Sequence, residues 1–134
     1  MYDRKIETVQ EKMCNLISGS GVHSLAYEEK LRKFKLHSLR ARRIKYQLTI
    51  MFKMKNKYVD LSFGRFFQEN KYKKTRGNAF KLLLQKSRTK PRQNYFSCFI
   101  IKHWNMLKTS DINVRSICLF KKKVDAYLKK AMIY

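Results

Sequence analysis

The residues of this chain best suited to chemistry are cations. Lys73, Lys74, Arg76, Lys81, Lys86, Arg88, Lys90 and Arg92 follow one another along a basic arm, residues 71–92, and no acid interrupts the chain between Glu69 and Asp111. Phosphates are the natural counterpart of such an arm, because each phosphate neutralised by Lys or Arg releases condensed counterions. Tyr72 and Tyr95 offer rings on which a base can stack. Arg42, Arg43 and Lys45 make a second patch, inside a stretch from Lys30 to Lys57 that holds eleven Lys and Arg and no acid. A helix that merely faces water mixes signs to limit repulsion between neighbours four apart, so this surface also points to a polyanion. The whole chain carries 32 Lys and Arg against 9 Asp and Glu, a formal +23 in 134 residues. A compact monomer must tolerate that self-repulsion or have a partner relieve it. RNA or DNA is the expected partner, held through phosphates with little base specificity; an anionic membrane surface is the rival.

Other chemistry fails on spacing. Glu28 and Glu29 are adjacent, so on a helix they diverge and cannot face one another as an acid/base pair. Asp3, Asp60, Asp111 and Asp125 sit where caps or surface charges account for them. Zinc requires close pairs of Cys or His, and Cys98, His103 and Cys118 match no such pattern. Cys98 and Cys118 read as small core-facing residues, and His103 as a hydrogen-bonded core histidine. Gly19 reads as a helix C-cap and Gly21 as a turn, since no Gly-Lys-Ser/Thr follows to make a phosphate loop. No G-x-S-x-G or H-E-x-x-H occurs. The chain is expected to be no enzyme as it stands and to take no cofactor. Three cysteines with no close pair suit a reducing, intracellular setting, nuclear or cytoplasmic. No apolar run approaches the roughly 18 residues of a spanning helix, and the N-terminus has no apolar signal core.

The elements that must position these residues are mostly helical. Ile6, Val9, Met13, Leu16 and Ile17 recur at three and four, predicting a helix with that stripe inward and Asp3 as N-cap. Residues 26–34 predict a short helix with Leu25, Leu31 and Phe34 inward, ended by a break at His37 with Ser38 capping the next. That longer helix, 39–54, turns Leu39, Ile44, Leu48, Met51 and Phe52 inward. Asp60 to Phe67 reads as one capped turn whose three phenylalanines are core. After a turn at Gly77, Ala79 to Leu84 predicts one short β element. Pro91 disfavours helical geometry at Lys90 and suits the first turn of a helix carrying Phe96, Phe99, Ile100, His103, Trp104 and Leu107. A loop over 110–115 and a last helix capped by Ser116, with Ile117, Phe120, Val124, Tyr127 and Leu128 inward, complete a mainly α chain. About five helices in a single small domain, residues 1–134, are expected.

The order of short motifs is informative where no single one is. VQEKMCNLI, LAYEEKLRKFKLHSLRARRIKYQL, VDLSFGRFF, TRGNAFKLLLQKSRTKPRQNYFS, HWNML and RSICLFKKKVDAYL together resemble the C-terminal, post-thumb tail of jockey-type non-LTR (LINE-like) retrotransposon reverse transcriptases, over Val9 to about Leu128. The resemblance implies a fragment of an RNA-directed DNA polymerase that lacks the polymerase aspartates, retains phosphate binding, and has the polymerase part of a related polyprotein as a partner. An alternative it leaves open is a structural module that packs on a polymerase thumb with no autonomous function. Departures from the family pattern fall at Ala26, where a Ser or Thr cap is usual, at the cationic run Leu39-Arg40-Ala41-Arg42-Arg43, at Phe99 and at Lys108. Decay of an element copy and divergence both account for them.

Overall fold

A computed structural model describes residues 2–18, 24–71 and 78–131. Among these the chain is mainly helical: α1 (Tyr2–Ser18), α2 (Tyr27–Lys33), α3 (Leu39–Lys55), α4 (Phe63–Phe66), α5 (Lys90–Gln93), α6 (Phe96–Met106), α7 (Thr109–Ile112) and α8 (Ile117–Lys130). The five helices expected from periodicity are α1, α2, α3, α6 and α8. The other three are single turns of four residues. Contacts divide the chain into two compact units, Met1–Arg43 with Leu128–Tyr134, and Ile44–Tyr127.

The first unit holds α1 and α2 together with polar groups. Tyr27 Oη donates to Glu7 Oε2 at 2.5 Å, Glu7 Oε1 accepts the Arg40 backbone N–H at 3.2 Å, and Gln10 Nε2 donates to the His37 carbonyl at 3.1 Å. Lys30, only 3% exposed, lies 3.6 Å from Glu11. Burial first, and the Glu7 carboxylate second, push the Tyr27 hydroxyl well above its ordinary pKa. This network reverses the orientation expected for α1. Glu7, Gln10, Glu11 and buried Cys14 turn toward the unit, while Ile6, Val9, Met13, Leu16 and Ile17, expected inward, are 40–78% exposed. Asp3, expected as the N-cap, instead lies within α1, which already includes Tyr2, and Gly19 and Gly21, given capping and turn roles from sequence, lie outside the described residues.

The ends of α2 and α3 have specific causes. Ala26 occupies the N-cap of α2 in the extended region (φ −62°, ψ 151°) with no side chain to offer, and Glu29 Oε2 accepts its N–H at 3.2 Å. Ser38 caps α3 as expected, its Oγ accepting the Ala41 N–H at 3.2 Å. Both helices stop in Schellman motifs. Leu36 N–H donates to Leu31 O and Lys35 N–H to Arg32 O; Tyr58 N–H donates to Lys53 O and Lys57 N–H to Met54 O. The pivots are Lys35 (φ 53°) and Lys57 (φ 57°), in the left-handed region where glycine is usual.

The second unit is built around Trp104, which is wholly buried with Phe52, Ile100, Ile101 and Phe120. Phe52 and Phe120 stack with centroids 4.2 Å apart, and Phe67, the C-cap of α4, meets Phe96 edge-on at 5.7 Å; of the three phenylalanines expected in the core it alone is buried, Phe63 and Phe66 being half-buried. Residues 78–82 lie along α6, and side chains satisfy their backbone. Trp104 Nε1 donates to Phe80 O at 3.0 Å, and Asn105 both accepts the Leu82 N–H and donates to Leu82 O, each at 2.9 Å. Asn78 donates to Trp104 O at 3.2 Å, and Thr109 Oγ1 accepts the Ala79 N–H at 3.0 Å. The β element expected at Ala79 to Leu84 is one antiparallel bridge, Glu69 with Leu82, flanked by bonds from Asn70 N–H to Lys81 O and from Leu83 N–H to Gln68 O. With Asn105 already bonded to Leu82 on the α6 side, no second backbone partner is needed there.

Four local expectations need correction. The helix after Pro91 is two pieces, because Tyr95 is extended (ψ 143°) and α6 restarts at Phe96. Lys90 is the first residue of α5 despite the proline after it, since proline's missing N–H has no helical partner in a first turn. The start of the loop expected over 110–115 is helical, because Thr109–Ile112 forms α7 and buries Ile112. Cys118, expected inward, is exposed, because α8 buries the row Phe120, Val124, Leu128 and Cys118 lies off it.

Two substitutions test these accounts by urea unfolding. Asn105→Ala strips partners from both polar groups of the buried Leu82 backbone and is expected to cost about 2 kcal/mol. Ala26→Ser supplies the missing cap on a backbone already in cap geometry and is expected to add about 1 kcal/mol.

Candidate nucleic-acid interface

The densest charge in the described part of the basic arm lies between Lys86 and Arg92, flanked by Gln85 and Tyr95. Lys86, Arg88, Lys90 and Arg92 are all exposed along it, as is Tyr95. Gln85 organises the segment. Its Nε2 donates to Phe66 O at 3.3 Å, its Oε1 accepts from Arg92 Nη2 at 3.0 Å, and the thiol of buried Cys98 approaches the same oxygen at 3.6 Å. A second tie, Gln93 Nε2 to Ser87 O at 3.2 Å, closes the short loop onto α5. The Arg92 guanidinium also lies 5.1 Å from the Tyr95 ring centroid. This is a cation–π arrangement at an exposed site. Composition singles out the cations, but Gln85 carries no charge and its role was not read from the sequence.

The other residues singled out from sequence are dispersed. Lys73, Lys74 and Arg76, with Tyr72 and the turn at Gly77, lie outside the described residues. Lys81 is half-buried beside the Glu69–Leu82 bridge. Arg42 is half-buried and donates to Gln10 Oε1, and Arg43 is exposed, both in the first unit. Lys45 belongs to the second unit and is engaged internally, its Nζ 2.7 and 2.8 Å from the two carboxylate oxygens of Asp125. Of Arg42, Arg43 and Lys45, then, Lys45 is already paired with a carboxylate. Lys55, another cation of α3, sits 3.9 Å above the Phe80 ring.

Two clefts accompany these features, one in each unit. In the first, Leu31 and Leu36 with Arg32, Lys35, His37 and Lys129 line a space of about 500 Å³, with no acid among its described lining residues. In the second, Phe63, Gly64, Phe67, Gln68, Glu69, Lys71 and Leu83 line about 660 Å³. His103 is half-buried on α6, its Nδ1 3.0 Å from Tyr127 Oη, whose pKa burial raises. Among the described residues no group of three or more His, Cys, Asp and Glu is placed to hold a metal ion, and no helix is long and apolar enough to cross a membrane. No protein-family model matches the chain, and no curated protein or solved structure matches it.

The Lys45–Asp125 pair is about a quarter exposed on each side, 26% and 29%. A double-mutant cycle of Lys45→Met with Asp125→Asn, read by urea unfolding, is expected to give a coupling of about 1 kcal/mol or less.

Proposed function

We propose that this chain is a non-catalytic fragment of a retrotransposon RNA-directed DNA polymerase that binds RNA or DNA through phosphates, in the nucleus or cytoplasm. The observation that carries the binding is the arm from Lys86 to Arg92. Its four exposed cations occupy a segment free of acids, tied to the second unit by Gln85, with Tyr95 beside Arg92. Lys86, Arg88, Lys90 and Arg92 contact phosphates, and Tyr95 stacks on a base without selecting its identity. Lys45 is left out of the binding set because Asp125 already neutralises it. The assignment to a retrotransposon polymerase rests on the ordered motif series from Val9 to about Leu128. Trp104-Asn105-x-Leu107, one of those motifs, supplies the side chains that hold residues 80–82, just upstream of the exposed cations Lys86 to Arg92.

The test is hairpin RNA or duplex DNA binding measured across a salt series. Affinity is expected to fall linearly on a log–log plot, and Arg88→Ala with Lys90→Ala and Arg92→Ala to flatten the slope by about 2 to 3. Gln85→Ala is expected to weaken binding several-fold and leave the slope unchanged, since it removes order and no charge. Salt-insensitive binding, or a triple variant that binds like wild type, overturns the assignment of the arm.

A further inference from the structure

The outward face of α1 is the one large apolar surface of a helix that the first unit leaves uncovered among its described residues. Ile6, Val9, Met13 and Leu16 alternate three and four apart, the a and d spacing of a coiled-coil seam, and Ile17 widens the stripe at its C-terminal end. All five are exposed, Leu16 by 78% and Val9 by 62%. The opposite face is fully employed, by Glu7 with Tyr27, Gln10 with the His37 carbonyl, Glu11 with Lys30, and Cys14 in the core. Rotating the helix to bury its stripe would break each of those bonds, so the apolar face is held outward. From the fractional exposures the stripe offers roughly 600 Å², the upper end of the largest apolar patch on an ordinary monomer.

We infer that this face is the contact between two copies of the chain, α1 against α1 about a two-fold axis. Charge selects that occupant. α1 contains three acids, Asp3, Glu7 and Glu11, and three bases, Arg4, Lys5 and Lys12, and is neutral over its length. α3 has Arg40, Arg42, Arg43, Lys45, Lys53 and Lys55 with no acid, and α8 has five lysines against Asp125. Two chains of +23 repel wherever those helices meet, and α1 is the long surface helix on which a second copy finds apolar area without opposing charge. An a/d stripe is complementary to another of its kind, which a two-fold pairing requires. Two such faces bury on the order of 1,200 Å² in total, the lower limit for a specific interface, so a weak, concentration-dependent dimer is expected.

Sedimentation velocity on the full chain tests this from micromolar to hundreds of micromolar, in about 1 M salt, where screening acts within about 3 Å and phosphate bridging is suppressed. The expected result is a shift with concentration from one 16.2 kDa chain to twice that mass. Val9→Gln with Met13→Gln, which removes apolar area and adds no charge, is expected to leave a monomer of unchanged helicity. Leu84→Gln, at an exposed leucine of the second unit, is expected to leave the dimer intact. Should the double variant lose helicity, the single substitution Leu16→Gln reads the same contact. A wild-type chain that stays monomeric throughout, including one that sediments only with anionic vesicles, overturns the inference. So does open-ended aggregation, or a dimer that survives the α1 substitutions. Because high salt abolishes phosphate contacts and strengthens apolar ones, failure here leaves the arm's binding untouched, and the reverse holds too.

Discussion

The second unit depends on a carboxamide doing the work of a strand. Asn105 gives and receives a hydrogen bond at Leu82, and Trp104 one residue earlier places its ring in the core and its N–H on Phe80. Leu82, the buried residue of this stretch, could not enter the core with its N–H and C=O groups unpaired. With these side chains, Leu82 enters the core on a single β bridge. The chain then reaches the cations of residues 86–92 from an anchored point, and Gln85 repeats the device three residues later on Phe66 O and Arg92. Neutral amides thus set where the charges stand.

Acids are scarce here, and their placement is correspondingly economical. Glu7, Glu11, Glu29, Asp111 and Asp125 each hold an internal partner: Tyr27, Lys30, the Ala26 N–H, Lys123 and Lys45. None is stationed against the cations of residues 86–92. The positive field of the arm is therefore unopposed by neighbours in its own segment. Pairing elsewhere removes Lys30 and Lys45 from the surface charge, which is why a cation-rich sequence does not translate into a uniformly reactive surface.

Much of this was legible from periodicity, because the inward rows of α3, α6 and α8 carry residues that pack the same way in any helical setting. Ile44, Leu48, Met51, Phe52, Ile100, Trp104, Phe120, Val124 and Leu128 are all buried where spacing placed them. Periodicity reports that a stripe exists and is silent on which side is covered. On α1 the polar row won, since Tyr27, Lys30 and the His37 carbonyl offered partners that no alternation of Ile and Val can announce. Cys118 misled for a related reason, being small and apolar enough for a core but off the Phe120–Val124–Leu128 row. In the candidate site the cations were visible at once, and what ties them was not: Gln85 acts through an amide whose partners lie nineteen and seven residues away.

The two left-handed lysines carry a consequence for how this chain can tolerate change. A left-handed conformation costs a non-glycine residue roughly 1–2 kcal/mol. A cation near a helix C-terminus gains about 0.3–1 kcal/mol from the dipole. At Lys35 and Lys57 these oppose each other, and strain is the larger. Glycine there would relieve the strain, keep both Schellman bonds and lower the formal charge. Among the described residues of an overcharged chain, these two are the cations whose replacement would lower the charge and relieve backbone strain together.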